Sequence, residues 1–361
     1  MLGRLKSKKL LAVALSPVLV IFLACEKSSR SFSILADSNT FKQESTTAVQ
    51  KKYDILWVVD NSGSMKPFQD NLVRNFNSFI QSFVTLGYDY QIAVTTSDAY
   101  LALPQFRNQP SLADFRDGLG TVHTGYPILD MNTPNVLTAF TINASVGGAG
   151  GGDERAFSSM KAAMQNPTNA RFLRPGAYLA VIILSDEDDF SDPTRAVGAK
   201  AVGGTRSDHD YLNPHLETVD SYVAFLDQAT GSTAEHRNYN VSAVTVKDAE
   251  CLRIHPTMMG TRYIDLVNKT GGVLADICSA DYASALDEIQ ARIIELGSEF
   301  PLTREPNPDT IQIHTNGVFI PQGTVNGWTY NAANISIKFH GTAIPPQGAD
   351  ISVAFDPLAP R

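Results

Sequence analysis

Cysteine and histidine are scarce in this 361-residue chain, with three of the first and seven of the second. No Cys-x-x-Cys pair and no histidine pair at ligand spacing occurs, which excludes an ordinary zinc centre. His209 and His215 read as members of a polar loop. Positive charge is also in deficit: 29 Lys and Arg stand against 37 Asp and Glu, a net charge of −8. Arg4, Lys6, Lys8 and Lys9 fall in the first 25 residues, so the body of the chain is more acidic still. No basic stripe with interleaved aromatics exists, and a nucleic-acid partner is excluded. Gly-x-Ser-x-Gly, a Walker loop and His-Glu-x-x-His are all absent, and the expectation is a protein that is not an enzyme. A long apolar run is missing too. Leu10 to Ala24, broken by Ser16 and Pro17, is shorter than the ~20 residues that span a bilayer.

What is present has an ordinary globular composition, 43% hydrophobic and 18% charged, enough for a sizeable core. The basic head and apolar run of residues 1–25 read as a secretory signal. It ends Phe22-Leu23-Ala24-Cys25, which resembles the lipobox of bacterial lipoproteins. That resemblance implies lipidation at Cys25 and, with Glu26 next, a lipid anchor in the outer membrane, facing the periplasm or the exterior. Residues 26–52 are rich in Ser and Thr without period and are expected to be a flexible tether. Cys251 and Cys278 remain. In an exported chain an even remainder suggests a disulfide worth roughly 3 kcal/mol; two buried free thiols are the alternative.

From Tyr53 short doubly apolar strands alternate with amphipathic helices. The strands are Ile55–Val59, Tyr90–Thr95, Tyr178–Leu184, Tyr239–Val246 and Gly272–Ile277. The clearest helix runs from Pro67 to Leu86, with Phe68, Leu72, Phe76, Phe79, Ile80 and Phe83 stepping by threes and fours. Others are expected at 157–165, 216–228, 258–268 and 282–296. The pattern predicts an α/β, Rossmann-like domain over 53–300, with a mostly parallel central sheet and helices on both faces. Residues 301–361 change to period two around Asn316-Gly317 and predict a small C-terminal all-β unit. Trp328 and Tyr330 read as its core.

The stretch Tyr53-Asp54-Ile55-Leu56-Trp57-Val58-Val59-Asp60-Asn61-Ser62-Gly63-Ser64 ends a buried strand with one carboxylate and two hydroxyls. Ligands of open α/β sheets bind at such carboxyl ends. Asp60, Ser62 and Ser64 are hard oxygen donors suited to Mg²⁺, Mn²⁺ or Ca²⁺. A second strand ends Ile182-Ile183-Leu184-Ser185-Asp186, and two converging carboxylates need a cation between them. An aspartyl-phosphate hydrolase also starts with a strand-tip Asp, but needs a second one where Ser62 stands.

Asp60-x-Ser62-x-Ser64 followed by Asp186 resembles the metal-ion-dependent adhesion site of von Willebrand factor A domains, over about residues 53–298. The resemblance implies that Ser62 and Ser64 ligate directly and that Asp60 acts through water. A middle loop completes the set. The family has Thr there; this chain offers Glu154, with Asp153 as runner-up. Glu187 is a further candidate around the ion, and Glu187-Asp188-Asp189 with Asp192 reads as either a second Ca²⁺ site or a solvated acidic loop. One open metal position, filled by an acidic side chain of a protein partner, would then mediate adhesion or assembly. The alternatives are a passive envelope lipoprotein with a degenerate metal site and a metal-dependent hydrolase.

Overall fold

The computed structural model of the chain describes residues 41–45, 51–194, 211, 213–234 and 236–358. The signal segment, Cys25 and His209 lie outside the described residues. Residues 39–361 group into one compact unit.

Strand β1 is Phe41–Ser45 and β2 is Lys52–Val59. Helix α1 (Lys66–Thr85) leads to β3 (Asp89–Thr96). A loop region follows, holding a short hairpin, β4 (Gly118–Leu119) and β5 (Val122–His123), then β6 (Ile128–Asp130) and α2 (Val136–Ala144). Next come α3 (Ala156–Gln165), β7 (Tyr178–Leu184), α4 (Val219–Thr230) and β8 (Tyr239–Thr245). A six-residue helix α5 (Ala249–Ile254), α6 (Thr261–Thr270), β9 (Leu274–Asp276) and α7 (Ala283–Gly297) close the α/β part. The rest is β10 (Phe300–Pro301), β11 (Gln312–Thr315), β12 (Val318–Ile320), β13 (Gly327–Asn331), β14 (Ser336–His340) and β15 (Ile351–Phe355).

The main sheet has the order β6-β3-β2-β7-β8-β9, parallel except for the edge strand β6. Alternation along β2 explains the two-sided burial. Tyr53, Ile55, Trp57 and Val59 enter one core with α1, α2 and α7. Leu56 and Val58 enter the other, with α3, α4 and α6. The mixed α/β expectation therefore holds, with a mostly parallel sheet between helical layers. From β2 the chain moves to β3 on one side, then crosses back to β7 on the other. The switch in direction falls between β2 and β7, the place where open sheets leave a crevice at their carboxyl ends.

Residues 300–358, joined by β1, form two small antiparallel sheets, β1-β15-β11-β12 and β10-β14-β13, around a separate core that includes Trp328, Ile337, Phe339 and Val353. Asn316 and Gly317, both at positive φ (50° and 78°), make the tight β11–β12 turn. One expectation fails here. Phe41–Ser45, inside the anticipated tether, is a strand: Phe41 stands opposite Phe355 and Ser45 opposite Ile351. The open edge of β15 offers a row of backbone donors and acceptors, and pairing satisfies them.

At the opposite end of the main sheet from the strand tips, Asp54 is fully buried. The Arg174 backbone N–H and Nε both donate to it at 2.7 Å, and Nη1 donates to Asp89 at 2.5 Å. Burial still pushes the Asp54 carboxyl up to about 6, against the pull of Arg174. A carboxyl raised on folding is most stabilising below its unfolded value and loses that contribution as pH rises through about 6. Arg174→Ala is expected to destabilise the protein by about 3 kcal/mol, because it strands a buried carboxylate. Urea denaturation at pH 5 and pH 8 checks this: the loss should be larger at pH 8, where Asp54 is ionised.

Candidate metal centre

The tips of β2, β3 and β7 meet at one edge. The Asp60 N–H donates to the Leu184 carbonyl at 2.9 Å, and the Ser97 N–H to the Val59 carbonyl at 3.3 Å. Asp60, Ser97 and Asp186 are thereby carried to the same end of the sheet. Asp60 is 1% exposed and Asp186 is fully buried. Asp60 Oδ1 accepts the Ser62 N–H at 2.8 Å, and Oδ2 accepts the Ser185 hydroxyl at 2.7 Å. The Ser62 and Ser64 hydroxyls lie 3.3 Å apart, with Ser64 toward solvent.

The loop holding Ser62 and Ser64 is tied down from three sides. Gln69, buried in the first turns of α1, donates to the carbonyls of Asp60 at 2.9 Å and Gly147 at 2.8 Å. Asn61 bridges to the loop after β3, donating to Asp98 at 3.3 Å and accepting from the Ser97 hydroxyl at 3.2 Å. The Gly150 N–H donates to the Asn61 carbonyl at 2.8 Å. A Cβ on Gly150 would meet that residue's oxygen at 2.6 Å, so only glycine permits the approach.

Glu154 arrives from that glycine-rich loop, two residues before α3. Its carbonyl accepts the Phe190 N–H at 2.9 Å. Its side chain is 1% exposed, and neither carboxylate oxygen has a well-formed hydrogen bond. Burial raises the Glu154 carboxyl far above its ordinary range; Asp60, Glu187 and Asp98 raise it further, and the nearby Ser97 hydroxyl offsets this only in part. Burial also lifts Asp60 to about 6, with the Asp186 charge adding to it. Asp186 Oδ1 has no partner either, whereas Oδ2 lies 2.6 Å from His255 Nε2.

Asp153 is engaged elsewhere. Arg155 grips it with Nε and Nη2, both at 2.9 Å, and the Tyr100 hydroxyl adds a third bond at 3.2 Å. The acidic run after Asp186 is occupied as well. Asp188 accepts the Arg262 N–H and the Tyr211 hydroxyl. Asp189 caps α3 through the Phe157 N–H at 2.9 Å and pairs with Arg262 at 3.2 Å. Asp192 accepts from Thr194 and Asn213. These three are buried and bonded within the protein, not members of a solvated loop. Glu187 stays near the cluster through its charge on Glu154.

The donor chemistry of Asp60, Ser62, Ser64, Glu154 and Asp186 fits a hard divalent cation: three carboxylates and two hydroxyls, with three buried carboxylate oxygens unpartnered. The spacing qualifies this. Among the described residues, the only set of three carboxylate, imidazole or sulfur atoms all within 4.8 Å belongs to Cys251, Asp276 and Cys278. Its sulfurs are spent, since Cys251 and Cys278 form a disulfide. Asp60, Glu154 and Asp186 therefore do not bring one oxygen each within 4.8 Å of one another. Ser97, Asp98, Ser185, Gln69 and His255 join the site without having been expected. Ser185 was findable, since it precedes Asp186 in the same strand tip; His255 carried no sequence signal.

No family model and no curated protein matches the sequence. Solved structures give partial likenesses. The pilus adhesin SpaC of Lactobacillus rhamnosus GG, in its open conformation, aligns with TM-score 0.39 and 13% identity over 84% of this chain and 38% of its own. A second SpaC structure gives TM-score 0.37 and 12% identity, covering 84% and 39%. Proximal thread matrix protein 1 of the mussel byssus gives TM-score 0.36 and 12% identity, covering 72% and 51%. The chain thus spans well under half of the adhesin and about half of the mussel protein. Likenesses of this size leave the function to be argued from the site itself.

Replacing the Glu154 carboxylate by an amide removes a buried group that must either protonate or sit charged among other acids. Glu154→Gln is expected to stabilise the protein in EDTA at pH 7.5 by about 1–2 kcal/mol. Thermal melts with EDTA check the direction: a fall in Tm would contradict it.

Proposed function

We propose that Asp60, Ser62, Ser64, Glu154 and Asp186 hold one divalent cation, Mg²⁺ or alternatively Ca²⁺ or Mn²⁺. On this reading the α/β part is a von Willebrand factor A-type module of a lipid-anchored bacterial envelope protein, acting in adhesion or complex assembly rather than catalysis. The observation that carries it is the set of unpartnered buried oxygens on Glu154 and Asp186 beside Asp60. Uncompensated carboxylates at such depth are costly, and a cation among them removes the cost. The partner is a protein offering an oxygen donor, an acidic side chain in the family's manner, to the ion above Ser62 and Ser64. The anchor rests on Cys25 and the signal before it; among the described residues no helix is long and apolar enough to cross a membrane.

One observation favours a second reading, a passive envelope lipoprotein with a degenerate site: the three carboxylates do not all approach within 4.8 Å.

Titration calorimetry on chelator-stripped protein separates the two. The metal reading expects Mg²⁺ or Ca²⁺ binding below millimolar and a loss of at least about tenfold in Asp60→Ala. No binding at millimolar cation favours the passive protein. A pull-down from envelope fractions should in addition recover a partner that EDTA and Asp60→Ala both release.

A further inference from the structure

We propose that His255 positions Asp186 for the cation, and that the Cys251–Cys278 disulfide holds His255 where it can do so. The inference rests on the metal reading above and assigns a role to residues outside the ligand set.

Helix α5 has six residues, too few to hold a conformation by itself. It is fastened at both ends. Its amino end is capped by Asp248, which accepts the Cys251 N–H at 2.9 Å. Cys251 is bonded to Cys278 in the turn after β9, where the Cys278 N–H donates to Asp276 at 2.8 Å. The carboxyl end is His255, whose N–H donates to the Cys251 carbonyl at 2.8 Å. The backbone of His255 therefore hangs directly on the cross-linked residue.

From that position the imidazole does two things. Its Nε2 lies 2.6 Å from Asp186 Oδ2, and the carboxylate oxygen can only accept, so Nε2 carries the proton. Its ring meets Phe68 edge-on, with centroids 5.0 Å apart. Phe68 belongs to α1, just after the loop that carries Ser62 and Ser64. Two residues beyond His255, the Thr257 hydroxyl donates to the Asp186 carbonyl. One short segment thus grips Asp186 by both its main chain and its side chain. The carboxylate cannot rotate without breaking the histidine bond, and the oxygen left without a partner is Oδ1. His255 selects which oxygen of Asp186 is presented.

Titration calorimetry of the full chain with MgCl₂ and with CaCl₂ tests this. His255→Ala should weaken cation binding about 10- to 100-fold, the usual cost of removing a group that orients a ligand. His255→Gln keeps a side-chain N–H donor and should stay within about threefold of wild type. Cys251→Ser/Cys278→Ser should weaken binding to a similar degree, and adding His255→Ala to it should cause little further loss, since both act through one contact. Melting curves in EDTA establish that each variant is folded. If His255→Ala does not fold, His255→Leu, which keeps bulk without the donor, replaces it. Wild-type affinity in His255→Ala, failure of the glutamine to rescue, or independent multiplying effects of the histidine and the disulfide would each overturn the proposal while leaving the metal reading standing. A wild-type protein that binds neither cation overturns both.

Discussion

Negative charge without a counter-charge, packed at the carboxyl ends of β2 and β7, is the condition around which the upper part of the molecule is organised. Asp60 and Asp186 are placed there by strand register, and Glu154 by the loop entering α3. Only Asp60 has hydrogen bonds to both of its oxygens. The surrounding acids follow a different rule. Asp153, Asp188, Asp189 and Asp192 each meet Arg155, Arg262, a backbone N–H or a hydroxyl. The chain has the means to neutralise buried and half-buried carboxylates and uses them on four neighbours. Glu154 has only the nearby Ser97 hydroxyl and no cationic partner, so its burial is less compensated than that of these four.

Much of the frame was legible. The stepping of Phe68, Leu72, Phe76, Phe79, Ile80 and Phe83 located α1, and the doubly apolar runs located β2, β3, β7 and β8, because burial on both faces leaves no polar alternation. Edges were harder. Strand β6 has three residues, and α5 has six, too short for any periodicity to register. Strand β1 was hidden by composition: Phe41–Ser45 has little apolar content, and its order comes from the edge of β15, which lies more than 300 residues away. Contacts of that range leave no local trace.

The site divides in the same way. Asp60, Ser62, Ser64 and Asp186 were readable because strand tips impose a position on whatever residue stands there. Choosing Glu154 over Asp153 depended on helix phase, with Phe157 and Met160 facing the core, and the two acids do differ in the structure: one is bound by Arg155 and the other has no cationic partner. The acidic run from Glu187 also allowed a solvated loop, and its last members are buried instead, since helix capping by Asp189 is a matter of spatial neighbours. His255 was invisible for the same reason; it reaches Asp186 across 69 positions of sequence.

The α/β part and the β unit are bound by small polar contacts as well as by packing. Glu299 gathers Asn331, Asn334 and Ser336, the Tyr88 hydroxyl donates to the Pro345 carbonyl at 2.8 Å, and the Gln347 N–H reaches the Leu86 carbonyl at 3.0 Å. Strand β1 adds a mechanical dimension. It precedes the α/β part in the chain yet lies antiparallel against β15, the final strand. Tension applied through the residues ahead of Phe41 therefore meets the five residue pairs of the β1–β15 ladder before it reaches β2 and the strand tip it carries.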